Sequence, residues 1–295
     1  PAYAQAIPHS PTRTHDVSVE DFFTLATVTQ VSTSPDGKHV AYVEERWRKS
    51  TDDSKADLWI VRLADGETKR LTADHAKVRG VKWGSDGRGL YFLGSCKHEG
   101  EKHPPFNGTT QVWKISLDGG EPSVATDVEE GVEAFDLPAD GNSLLYTTEK
   151  TIQDDDECAA LRAKNDALGF GHGSRKVSTL WRLDQKTCRT EKILDEKRSI
   201  REFAVTRDGK RVALITAPDE RSITQSGGSR VDIFDTTTRR SDTLPDKTWR
   251  VGAASPYGRL DTLAWSPDGD RLAFHVGFSA YPAEVALTEW KEGRP

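Results

Sequence analysis

The chain has 295 residues, of which 35% are hydrophobic and 30% charged, enough for a sizeable core but thin in apolar residues for a deeply buried α/β enzyme. Its 41 basic and 47 acidic residues are spread along the sequence and leave a net charge of −6 with no basic stripe, so nucleic-acid binding has no electrostatic support. No apolar run approaches the length of a membrane span, and Cys96, Cys158 and Cys188 form no CxxC pair.

The first residues, Pro1-Ala2-Tyr3-Ala4-Gln5-Ala6, place Ala2 and Ala4 at the small-residue spacing that export peptidases cut after. Residues 1–16 are therefore read as the remnant of an export signal and a disordered leader; an ordinary Ala-rich terminus is the plainer alternative. Val17 to Phe23 predicts a short helix, with Ser18 as N-cap and Asp21 three residues on.

Beyond it an x-Asp-Gly turn recurs: Ser34-Pro35-Asp36-Gly37, Ser85-Asp86-Gly87, Ala139-Asp140-Gly141, Arg207-Asp208-Gly209 and Ser266-Pro267-Asp268-Gly269. Each lies between two apolar stretches of period 2, such as Leu263-Ala264-Trp265 and Leu272-Ala273-Phe274, which is a hairpin signal because Gly adopts positive φ without steric cost. A second hairpin follows, opened by Leu58-Trp59-Ile60-Val61, Val112-Trp113-Lys114-Ile115, Leu180-Trp181-Arg182-Leu183 and Val231-Asp232-Ile233-Phe234.

Two hairpins make a four-stranded antiparallel sheet that cannot bury both faces alone. Stacked at a period of about 50 to 70 residues, such sheets predict an all-β propeller over 17–295, with blades near 27–73, 80–126, 132–194, 201–244 and 260–295. A β-sandwich would not repeat two hairpins at this period, and a helical solenoid would show 3.6-residue periodicity. The fifth unit offers a third strand at Ala283-Glu284-Val285-Ala286-Leu287 and no fourth, so the propeller is expected to be incomplete.

Insertions at 96–110, 151–177 and 219–228 all fall between the second and third strands. Because strands alternate in direction, these loops and the linkers between blades emerge on one face, and the tight Asp-Gly turns on the other. A second helix is expected over Asp154 to Lys164, acidic at its start and basic at its end.

The grammar Ser-Pro-Asp-Gly-Lys, Ala-Tyr, Leu-Trp, Leu-Ala-Asp-Gly resembles the propeller half of the prolyl oligopeptidase family of serine peptidases, nearest to its acylaminoacyl and dipeptidyl peptidases. Further echoes are Val19-Glu20-Asp21-Phe22-Phe23, Gly131-Val132-Glu133-Ala134-Phe135 and Ile200-Arg201-Glu202-Phe203-Ala204-Val205. The periplasmic TolB-type propellers share the repeats. The resemblance implies a seven- or eight-bladed propeller that screens short peptides, followed by an α/β-hydrolase domain carrying a Ser-Asp-His triad. The Gly-x-Ser-x-Gly elbow of that chemistry is not in this chain; Gly171-His172-Gly173-Ser174-Arg175 has the wrong order. No catalytic residue and no cofactor is expected in this chain.

Glu129-Glu130, in a linker on the loop-bearing face, is a candidate holder of a substrate ammonium, since the resemblance implies a glutamate pair in that role. A solvated acidic linker is the ordinary reading. Asp156 and Glu157 belong to a second acidic cluster, whose ordinary role is to complement a helix dipole, and His172 between glycines is a further candidate. Glu44-Glu45 reads as the water-facing end of a strand. Cys96, His98 and His103 contain zinc-ligating atoms, but their spacing matches no standard site and reads as a polar loop. Asn107-Gly108-Thr109 is a sequon, and the repeated Asp36, Asp86, Asp140, Asp208 and Asp268 are turn formers.

These readings make the chain the substrate-gating propeller of an exported, periplasmic or secreted serine peptidase. The expected partners are short peptides and a C-terminal hydrolase domain, with no nucleic acid and no membrane span. The alternative is a non-enzymatic TolB-like scaffold. A five-bladed glycosidase ranks last, because the inner strands carry Trp, Val and Ala more than acids.

Overall fold

The computed structural model describes residues 15–72, 77–153, 159–164, 174–220, 228–245, 259–278 and 281–290. Helix α1 (Val19–Phe22) comes first, its start closed by the Asp21 carboxylate, which accepts the Ser18 backbone N–H at 2.7 Å. Five antiparallel sheets follow, each with its strands in chain order.

Blade 1 holds β1 (Ala26–Thr33), β2 (His39–Arg48), β3 (Asp53–Arg62) and β4 (Thr68–Arg70). Blade 2 holds β5 (Arg79–Trp83), β6 (Gly89–Lys97), β7 (Asn107–Ser116) and β8 (Ser123–Val124). Blade 3 holds β9 (Ala134–Asp136), β10 (Ser143–Gln153), β11 (Ser174–Asp184) and β12 (Arg189–Leu194), with α2 (Ala159–Lys164) between β10 and β11. Blade 4 holds β13 (Ile200–Val205), β14 (Arg211–Thr216), β15 (Arg230–Asp235) and β16 (Arg240–Thr243). Blade 5 has three strands among the described residues: β17 (Arg259–Trp265), β18 (Arg271–Phe278) and β19 (Tyr281–Glu289). The chain is an all-β propeller of these blades.

Each Asp-Gly turn closes on itself. The Ser34 hydroxyl donates to Asp36 Oδ1 at 2.6 Å, and the same oxygen accepts the Lys38 N–H at 3.0 Å. Gly37 takes the positive φ, +69°, that this turn requires. Thr206 with Asp208, and Ser266 with Asp268, reproduce the arrangement.

The core lies between blades rather than within any one of them. Four clusters occupy the four junctions: Leu58 and Ile60 against Phe92 and Trp113; Leu93 and Val112 against Phe135 and Tyr146; Leu145 and Leu180 against Phe203 and Phe234; Ile215 and Ile233 against Leu260 and Phe274. Alternation along each strand sends neighbouring side chains to opposite junctions, so a one-residue slip would expose both. The first strands lie side by side, joined by Trp83 Nε1–H to Ser32 O at 2.9 Å and Trp265 Nε1–H to Ala204 O at 3.1 Å. The outer strands β4, β8 and β16 are short and exposed, which limits edge-to-edge pairing.

Two expectations change. The insertions at 96–110 and 151–177 are not loops throughout: pairing continues to Lys97 with Asn107 and to Gln153 with Ser174. Thr109, Thr110, Thr151 and Ile152 are β-branched, and extending the ladder satisfies backbone groups in pairs. Glu44-Glu45 does not end its strand either. β2 runs on to Arg48, and Glu44, its side chain 18% exposed, accepts the Arg46 Nε–H at 2.7 Å.

Candidate functional site

Contacts between loops identify the face that carries them. Lys49, in the β2–β3 turn, pairs with Glu20 of α1 at 2.8 Å. His103, in the β6–β7 loop, meets Glu129, in the β8–β9 linker, at 2.9 Å. Arg175 at the start of β11 donates to the carbonyls of Lys197 and Glu220, in the linker before β13 and the loop after β14. The described hollows lie instead on the turn face, such as one of about 220 Å³ between Asp140, Arg182, Asp208 and Lys210.

The β8–β9 linker is built around Gln111, which is fully buried. Its amide group donates to Val128 O at 2.8 Å and accepts the Val128 N–H at 3.1 Å and the Thr126 hydroxyl at 2.8 Å. A turn follows, closed by Gly131 N–H to Val128 O at 3.0 Å. Gly131 has φ +79°, and a Cβ there would lie 3.3 Å from Thr110 O, so any side chain at this position would be strained. Val132 is buried immediately after it.

Glu129 and Glu130 are the two central residues of that turn, and both are exposed. The structure thus brings this predicted pair together at a loop tip. Glu129 is engaged by His103 Nδ1, and Glu130 acts electrostatically on Tyr146. The Tyr146 phenol, in a ring stacked on Trp181 at 6.5 Å, is pushed up to about 12, first by burial and then by the Glu130 charge. Close by, Lys176 pairs with Glu149 at 2.5 Å and feels Glu133 more weakly; the Glu149 bond holds its ammonium above the usual lysine value. The tip can offer carboxylate oxygens to a cation; water screens that attraction.

Asp156, Glu157 and His172 lie outside the described residues. Cys96 and His98 approach at 3.6 Å, His98 stacks on Phe106 at 4.3 Å, and His103 turns away to Glu129. No group of three or more metal-ligating side chains converges among the described residues.

Sequence reasoning missed a buried charge network in blade 4. Asp232 is fully buried and accepts Arg198 Nη1–H at 3.0 Å, the Thr216 hydroxyl at 2.9 Å and the Thr243 hydroxyl at 2.6 Å. Arg198 is 8% exposed and also pairs with Glu196. The signal was present: Asp232 stands where Trp59, Trp113 and Trp181 stand in the third strands of blades 1 to 3.

The architecture is a propeller whose fold is similar to those found in an acylaminoacyl peptidase, in a prolyl endopeptidase and in TolB. In sequence the chain is similar to the uncharacterized peptidase YuxL of Bacillus subtilis (strain 168), 26% identical over 208 residues. That match takes in 66% of this chain and 30% of the relative, so the chain spans less than a third of the relative's length. The fold is similar to TolB from Acinetobacter baumannii, with a TM-score of 0.60 and 15% identity over 91% of this chain and 53% of that one. It is similar also to Pyrococcus horikoshii acylaminoacyl peptidase, with a TM-score of 0.57 and 15% identity over 90% of this chain and 39% of that one. No family model matches the sequence. Among the described residues no helix is long and apolar enough to cross a membrane.

Proposed function

We propose that this chain is the substrate-gating propeller of an exported serine peptidase acting on short peptides, with the Ser-Asp-His machinery on a companion α/β-hydrolase domain. The observation that carries the reading is the sequence likeness to a peptidase across two-thirds of the chain. In this reading the loop-bearing face looks toward the hydrolase domain, and Glu129-Glu130 receives the peptide ammonium, alongside Asp156, Glu157 and His172.

Exposed apolar surface supports further domains and blades. Val17, Val19, Phe22, Leu25 and Trp47 are all exposed around α1, on the loop side. Blade 1 turns Tyr42 and Trp59, stacked at 6.3 Å, to the face equivalent to the one through which Phe92 and Trp113 pack on blade 1. Val28 and Val31, paired with Glu44 and Tyr42, are 54% and 63% exposed. On blade 5, Val285 and Leu287 are 74% and 64% exposed, and no described core cluster joins blades 1 and 5. Additional blades between these two faces, completing seven or eight, would bury both.

Labelling of the full-length gene product with a fluorophosphonate probe tests the reading. Specific serine labelling of that product, with none on the 295-residue chain alone, is expected. An unlabelled full-length product would overturn it in favour of a TolB-type scaffold.

A further inference from the structure

Arg201 is the bulged residue near the start of β13, where the pairing with β14 skips from Ile200 to Glu202. Its side chain is partly buried, and among the described residues its guanidinium has neither a hydrogen bond nor an ion pair. A partly desolvated guanidinium without a partner is unusual, because burial removes water that nothing replaces. The charges around it are already committed. Glu202 accepts the backbone N–H groups of Thr262 and Leu263 at 2.9 and 2.8 Å. Asp261 is held on His275 Nδ1 at 2.6 Å and reaches Arg259 Nε only at 3.8 Å.

Arg259 begins β17, the neighbouring first strand, and stands as the main charge acting on Arg201. Burial first, and Arg259 second, hold the Arg201 guanidinium below its ordinary value, and Asp261 and Glu202, engaged elsewhere, offset this only in part. Both side chains leave first strands at the ends fed by blade-to-blade linkers, which is the loop-bearing face.

We propose that Arg201 and Arg259 form an anion subsite that receives a peptide carboxylate at this face. Guanidinium forks from adjacent blades match the planar carboxylate, and the ligand would supply the hydrogen-bonded anion that Arg201 lacks among the described residues. The inference rests on the reading of the loop-bearing face as substrate-facing. It deepens that reading by assigning the acid end of the peptide to blades 4 and 5, opposite in charge to the Glu129-Glu130 tip.

Calorimetric titration of the 295-residue chain with short acetylated peptides tests it, comparing a free C-terminal carboxylate, a C-terminal amide, and an amide bearing one aspartate side chain. The free acid is expected to bind roughly tenfold or more tightly than the plain amide, the worth of one charge-assisted hydrogen bond. Tight binding of the aspartate amide instead would assign the subsite to an acidic side chain. R201Q should lose the preference, and R201K should recover only part of it because lysine lacks the fork. D261N removes a competing carboxylate and should tighten binding severalfold, a gain that misfolding cannot mimic. Equal affinity for all three peptides, or a preference unchanged in R201Q, overturns the subsite. Fluorophosphonate labelling of the full-length product is read separately, so failure of the subsite and failure of the peptidase reading are distinguishable.

Discussion

The Glu202 carboxylate of blade 4 accepts the backbone N–H of Thr262 in blade 5 at 2.9 Å, and the Leu263 N–H at 2.8 Å. Thr262 sits at the bulge of β17 with φ +60°, so this side chain fixes a strained segment of the next blade. Blade 1 uses the same device on blade 2, where the Gln30 amide accepts the Val81 N–H at 3.0 Å. Four residues before each turn serine or threonine, Gln30 and Glu202 reach forward, to Val81 in blade 2 and to Thr262 and Leu263 in blade 5. E202A leaves two amides without their charged acceptor and is expected to cost about 2–3 kcal/mol, with E202Q about half that. Urea unfolding of the three proteins measures it.

The bulge residue before Val81 and Leu263 has a backbone requirement of its own. Gly80 has φ +67°, and a Cβ there would meet Leu93 Cδ1 at 3.4 Å, so G80V is expected to lose roughly 1–2 kcal/mol through backbone strain. Thr262 already bears that strain. T262G should therefore be neutral or raise the melting temperature slightly, the opposite sign at an equivalent site. A large loss in T262G would show that its side chain, not its backbone, matters.

The hairpins were legible because everything that makes them is local. An aspartate accepting the N–H two residues on and a glycine at positive φ stand within a few residues of each other, as at Asp36 and Gly37. Glu129-Glu130 was legible as a pair but not as a turn tip, because the scaffold beneath it is Gln111, sixteen or more residues away and bonded to backbone. The staples were illegible for the same reason: Gln30 and Val81 meet across 51 positions. Asp232 was legible only as a break in the tryptophan column. Its partner Arg198 comes from a linker whose path no repeat dictates.

That buried pair makes its own prediction. R198M leaves the buried Asp232 carboxylate with Arg230 Nε–H, at 3.2 Å, as its remaining cationic partner, and is expected to destabilise by about 2–3 kcal/mol. Replacing both, as in R198M with D232L, should recover most of the loss, since it removes the buried carboxylate and the charges left over, Arg230 and Glu196, are partly exposed to water. Thermal melts of the single and double variants decide it. A double variant as unstable as R198M would mean that the Thr216 and Thr243 hydroxyls, not the charge, set the cost.

The repeated turns tie stability to pH. The Ser34 and Ser266 hydroxyls, then the Lys38 and Asp270 N–H groups, hold Asp36 and Asp268 below the ordinary aspartate value of 3.8. At Asp208 burial pulls upward, and the Thr206 hydroxyl and Lys210 N–H outweigh it. A lowered folded value means that the stabilisation is present above about pH 3.8 and is lost as pH falls through the folded value. Urea midpoints should therefore decline steeply below about pH 4, and D36N with D268N should flatten that decline while lowering stability at neutral pH. An unchanged acid slope in the double variant would place the acid sensitivity elsewhere.

Tyr146 offers a spectroscopic readout of the loop tip. Its phenol is raised to about 12, chiefly by burial and secondarily by Glu130. The sign is that of a group kept neutral by the fold: its contribution is intact below the ordinary value of 10.0 and is lost as pH climbs toward the folded one. Absorbance titration should show a phenol step delayed to about 12 that Y146F removes, while Tyr42, also raised by burial, stays in both proteins. E130Q removes only the smaller cause, so the delayed step should move down yet stay above 10.0. A step insensitive to E130Q would separate the carboxylate from the phenol.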